Sequence, residues 1–173
     1  MWKPAPENTL ESLRHAIQMH DGIEFDLRLT KDKEVIIHHD GIVSVPKEKL
    51  GSGDAWVEHR TLSELESFGF CSFRSLLEDS IVHSEWRDNG KMGCVELKRP
   101  HPKTDVGGGY FGASQHRKHI TQLVNASDAI LNEFEIPHEN TVFYAFYRGM
   151  NTSIKTSSTT RPWAELPTYI PTF

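Results

Sequence analysis

Gly22-Ile23-Glu24-Phe25-Asp26-Leu27-Arg28-Leu29-Thr30, then Lys31-Asp32-Lys33, then Glu34-Val35-Ile36-Ile37-His38-His39-Asp40, is the stretch on which the fold turns. Residues 23–30 read as a β-strand. Side chains alternate faces on a strand, so Glu24 and Asp26 point the same way. Two carboxylates side by side on an apolar strand repel each other, and a divalent cation offsets that repulsion well. Hard oxygen donors of this kind suit Mg²⁺ or Ca²⁺. Lys31-Asp32-Lys33 reads as a tight polar turn, and residues 34–39 return as a second strand. Its alternation separates His39 from His38. The strand closes in His39-Asp40, where an imidazole can act as a general acid or base. For Glu-x-Asp alone, the competing reading is an exposed strand edge with scattered charges.

Upstream stands Pro6-Glu7-Asn8-Thr9-Leu10, and downstream Val95-Glu96-Leu97-Lys98. Residues 93–98 read as a short apolar strand with charge at its C-terminal end, and Glu96 and Lys98 share a face. That pattern suits a barrel whose chemistry sits at the C-terminal rim of its strands. Taken in order, with these gaps, the segments resemble the glycerophosphodiester phosphodiesterase family. The resemblance is tight over Pro6 to Asp40, local around Glu96, and weak or absent from about Arg99 onward.

The resemblance implies an α/β fold, a (β/α)8 TIM barrel. It implies one divalent cation, Mg²⁺ or Ca²⁺, on Glu24, Asp26 and Glu96, with His39 as the proton-transferring residue. Lys98 would meet a substrate phosphate as a point charge. The expected substrate is a small-molecule glycerophosphodiester, cleaved to sn-glycerol 3-phosphate and an alcohol. The family also opens on a strand ending His-Arg-Gly, and Met1-Trp2-Lys3 stands before Pro6 instead. The barrel is therefore expected to be incomplete, lacking its first and last strands, and this chain alone to be impaired. A lysophospholipase-D-like activity and a catalytically impaired metal-binding remnant are the competing readings.

Composition limits the field. The chain has 173 residues and a formal net charge of −5, which does not suit a general nucleic-acid binder. One partial domain over 1–173 is expected, with a loop-rich insertion around 41–60. Cys71 and Cys94, the two cysteines, read as free thiols. No apolar run reaches the length of a membrane span, so no stable membrane insertion is expected. The N-terminal residues show no apolar signal core, so a cytoplasmic protein is expected, with an oligomer possible.

The remaining expectations are local. Asn8 is expected to cap a helix running to about His20, with Glu11 completing a capping box. Thr61 and Glu64 form a second capping box, and residues 72–86 read as one helix. Gly107-Gly108-Gly109, with Tyr110 and Phe111, is a weak signal for a phosphate-cradling loop. Residues 114–127 read as a helix whose basic face, including His116 and His119, is solvated. Residues 141–146 read as a strand, 147–162 show no core face, and 166–173 could start one more strand.

Overall fold

The computed structural model describes residues 5–106, 113–147 and 149–166. Helix α1 (Leu10–Met19) leads into β1 (Gly22–Leu29), which turns back as β2 (Val35–Ile37). The short helices α2 (Lys47–Leu50), α3 (Leu62–Ser67), α4 (Phe73–Glu78) and α5 (Ser80–Arg87) precede β3 (Met92–Leu97). The long helix α6 (Ala113–Glu133), β4 (Thr141–Ala145), α7 (Met150–Lys155) and β5 (Trp163–Glu165) follow.

These strands form one sheet in the order β2-β1-β3-β4-β5. β1, β3, β4 and β5 are parallel, and β2 is an antiparallel edge paired Leu27↔Ile37 to Leu29↔Val35. The arrangement is α/β, a partial parallel sheet in keeping with an incomplete (β/α)8 barrel. One face of β1 carries Ile23, Phe25, Leu27 and Leu29 into a core shared with Leu13 and Ile17 of α1, Phe73 and Leu76 of α4, and Trp86 of α5. The other face carries Glu24, Asp26 and Arg28. Burying the apolar set against helices is what fixes which face the charged set takes. Trp86 packs against β3 at Gly93, its Nε1 donating to Asn140 O at 2.9 Å. A Cβ on Gly93 would run into that indole, so only glycine permits the approach.

Several local expectations need correction. Asn8 does not cap α1. Thr9 does, accepting from Ser12 N at 3.2 Å, and Ser12 rather than Glu11 closes the box. Asn8 instead takes a left-handed φ of 56°, which asparagine tolerates better than most residues. Residues 72–86 are two helices, because Asp79 leaves helical geometry and caps α5 through Ile81 N and Val82 N. Residues 41–60 are mostly irregular, with short regular pieces among them. They hold α2, a 3₁₀ turn at Val57–His59 and the bridge Ile42↔Trp56, around a small core of Ile36, Val43, Val57 and Leu65. His116 and His119 are buried, not solvated, because α6 packs against α7, β1 and β3 on that side. Within 147–162, α7 buries Met150 and Ile154, and Arg161 is also buried. β5 begins at Trp163, ahead of the expected strand. The glycine-rich stretch, Tyr110, Phe111 and residues 167–173 lie outside the described residues. Both cysteines are free thiols. Among the described residues no helix is long and apolar enough to cross a membrane.

Candidate active site

The site is a product of strand register. In the parallel ladder Asp26 stands opposite Glu96, and Glu96 opposite Tyr144. Neighbouring strands run about 4.8 Å apart, so side chains at paired positions on one face meet directly. Glu24 lies two residues before Asp26 on the same face. The result is a cluster in which Glu24, Asp26 and Glu96 each offer a carboxylate oxygen, all within 4.8 Å of one another. Oxygens around one hard cation at about 2.0–2.6 Å stand no more than about 5 Å apart, so this donor set fits such an ion.

Each carboxylate has a holder. Asn8 Nδ2 donates to Asp26 Oδ2 at 2.8 Å, and Asp26 N donates back to Asn8 Oδ1 at 3.1 Å. The β1–β2 pairing runs from Leu29 to Leu27, and at Asp26 it persists only as His38 N donating to Asp26 O at 3.0 Å. The Asn8 amide takes the Asp26 N–H that the ladder leaves over. Lys98 Nζ bridges the acids, 2.9 Å from Asp26 Oδ1 and 2.6 Å from Glu96 Oε1. The Tyr144 hydroxyl donates to Glu24 Oε1 at 2.5 Å. Partial burial lifts the Glu24 carboxyl above the ordinary range. The Tyr144 hydrogen bond opposes that rise, while the charges on Asp26 and Glu96 add to it. Burial and the Glu24 carboxylate together push the Tyr144 phenol well up, so it stays a donor.

His39 lies past the end of β2, with its imidazole 56% exposed. Its Nδ1 sits 2.9 Å from Asp40 Oδ1, and that contact holds the Asp40 carboxyl below its usual value. His39 and Asp40 line a cleft of 490 Å³ together with Glu96, Lys98 and Arg28. Asn8 borders a second cleft of 460 Å³ on the other side of His39. His38 turns elsewhere. Its Nε2 is 2.9 Å from Ile42 O, its ring lies edge-on to Phe70, and burial lowers its pKa. Across the cleft rim, Trp56 stacks on His101 with centroids 3.9 Å apart, joining the 41–60 excursion to the loop after β3.

The structure thus brings Glu24, Asp26, Glu96 and Lys98 into one cluster, with His39 on the wall of the same cleft. Sequence reasoning missed Asn8 as a partner of Asp26, Tyr144 as a partner of Glu24, and Arg28. Alternation on β4 marks a face for Tyr144, but only the ladder register says that this face looks onto Glu96.

The chain is similar in sequence and in fold to known proteins. The chain is 38% identical to YhdW of Bacillus subtilis over 63 residues, which is 36% of this chain and 24% of that protein. It is 35% identical to the glycerophosphodiester phosphodiesterase of Caldanaerobacter subterraneus over 65 residues, 37% of this chain and 25% of that one. Among solved structures, a phosphodiesterase of Oleispira antarctica in complex with sn-glycerol-3-phosphate superposes with a TM-score of 0.64 at 20% identity. That likeness covers 93% of this chain and 60% of the other, and it shows the shared fold. The matches therefore span about a quarter of the two curated relatives and about three fifths of the solved one. A family model matches residues 2–157, nearly the whole length, and on that breadth the chain belongs to the glycerophosphoryl diester phosphodiesterase family.

Proposed function

We propose that this chain carries the core of a metal-dependent phosphodiesterase that hydrolyses glycerophosphodiesters to sn-glycerol 3-phosphate and an alcohol. The observation behind this reading is the approach of Glu24, Asp26 and Glu96 to within 4.8 Å of one another, beside a cleft that His39 also lines. The product bound in the Oleispira antarctica enzyme supports the same substrate class.

Glu24, Asp26 and Glu96 would hold one Mg²⁺ or Ca²⁺. Such an ion, when bound, polarises a phosphoryl oxygen and lowers the pKa of a bound hydroxyl or water. Lys98 is anchored on two of the acids and presents its charge to the substrate phosphate. Asp40 faces Nδ1 of His39, which leaves Nε2 as the atom that holds or moves a proton. Asn8 and Tyr144 fix the rotamers of Asp26 and Glu24, so the acids are aligned before any ligand arrives.

The test is release of sn-glycerol 3-phosphate from glycerophosphocholine and glycerophosphoethanolamine by the full-length protein, with lysophosphatidylcholine run alongside. Turnover that a chelator abolishes and Mg²⁺ or Ca²⁺ restores is expected. Metal-independent turnover, no turnover with any divalent cation, or clear preference for lysophosphatidylcholine would refute the proposal.

A further inference from the structure

The structure assigns the buried pair Arg28–Glu58 a positioning role for His39, an assignment that rests on the proton-transfer reading above. Arg28 shares a face with Glu24 and Asp26 but reaches away from them. Its Nε and Nη2 both donate to the His39 carbonyl oxygen, at 3.1 and 2.9 Å. Its Nη1 donates to Glu58 Oε1 and to Arg99 O, each at 3.1 Å. Arg28 is 7% exposed and Glu58 4%. Burial pushes both toward neutrality and their mutual attraction opposes it.

The placement of these bonds is what points to a role. The β1–β2 ladder stops at Ile37, and His38 N still reaches Asp26 O at 3.0 Å. From His39 onward the guanidinium takes over from the ladder. The same guanidinium binds the 3₁₀ turn of the excursion through Glu58 and the loop after β3 through Arg99. Three segments are thus indexed to one rigid cation, and two of them, at His39 and at Arg99, line the cleft. A planar fork with fixed donor directions can do this, whereas a lysine ammonium cannot reproduce it. A buried ion pair contributes little net stability compared with apolar residues of the same volume, so stability alone does not account for one here. Glu58 fixes the rotation of the fork, and through it the excursion acts on His39 without touching substrate.

The experiment compares Arg28→Lys, Glu58→Gln and the double variant Arg28→Met/Glu58→Met in the full-length protein. The double variant leaves no uncompensated buried charge and so spares the fold. It is expected to lose about 10²-fold in kcat, the scale of a misplaced acid–base group, while KM and cation affinity by calorimetry stay unchanged. Arg28→Lys and Glu58→Gln are expected to show the same split at smaller size, which keeps the test open should the double variant not fold. The His39 imidazole resonances are expected to shift in every variant. A folded variant with wild-type kcat, or one that loses activity through KM alone, would overturn the assignment. If the wild-type protein hydrolyses no glycerophosphodiester, the proposed function fails by itself. The positioning role is then decided by the His39 resonances, and unchanged signals in the variants overturn it.

Discussion

Two neutral side chains give the acidic cluster its shape. Asn8 supplies both an N–H and a carbonyl to Asp26, and Tyr144 supplies one hydroxyl to Glu24. Asn8→Ala leaves the Asp26 amide and carboxylate short of a partner. We expect a loss of about 1–3 kcal/mol in urea unfolding, together with weaker cation binding in calorimetry. Glu96→Gln removes one charge from the proposed cation site while keeping its shape. Mg²⁺ or Ca²⁺ binding is expected to vanish in calorimetry, with the unfolding midpoint of the metal-free protein little changed, since the loss of the Lys98 ion pair offsets the fall in repulsion within the cluster. At this scale strand alternation alone made Glu24 and Asp26 legible as neighbours. Asn8 and Tyr144 were not legible, because each meets its acid through a contact between segments far apart in sequence. Asparagine is a good helix cap and also tolerates a left-handed φ, and the residue after it, Thr9, can cap as well.

Helix α6 shows how an element can hide its inward face. Its sequence offers His116, Arg117, Lys118 and His119 in a row, which reads as one basic surface. In the structure Lys118 is exposed, while His116 and His119 are buried. Both ring nitrogens of His119 lack a hydrogen-bond partner among the described residues. Burial drives its pKa down to about 3, with nearby Lys33 and Arg28 adding to the shift. The unfolded chain takes up this proton near pH 6.5 and the folded one does not. Stability should therefore be intact above about pH 6.5 and fall as the solution is acidified toward pH 3, by ~2 kcal/mol at pH 5. Urea midpoints measured from pH 7 to pH 5 should decline less in His119→Leu than in the wild type. An equal decline would show that other groups carry the acid limb.

Across the whole molecule, the C-terminal half is pinned by one residue that composition concealed. Arg161 lies in a Ser/Thr-rich stretch without an apolar pattern, and it is 2% exposed. Its guanidinium holds Asp128 Oδ1 at 2.7 Å, Asn132 Oδ1 at 2.8 Å, and the carbonyls of Ile136 and Pro137 at 3.0 and 2.9 Å. It thereby ties the end of α6 to the approach of β4 and β5. Arg161→Met strands a buried carboxylate and should cost about 3–5 kcal/mol in urea unfolding. Adding Asp128→Leu should recover much of that loss, and no recovery would mean the neutral contacts carry the weight. The parallel α/β character was legible from the strand–helix alternation. The return of β2 after the tight turn at 31–33 was legible too, whereas the small core of the 41–60 excursion was not, since it depends on contacts among segments far apart in sequence.

The ladder that sets Asp26 beside Glu96, and Glu96 beside Tyr144, has one more consequence. A single residue inserted into β3 before Val95 would turn Glu96 toward the helices and Val95 onto the cleft side. Grease and charge would be misfiled together, so folding and ligand capture would fail in the same stroke. Length changes along this chain should consequently be tolerated between strands and forbidden within β1, β3 and β4. A scan of one-residue insertions read by both solubility and cation binding should show the two losses mapping to the same positions.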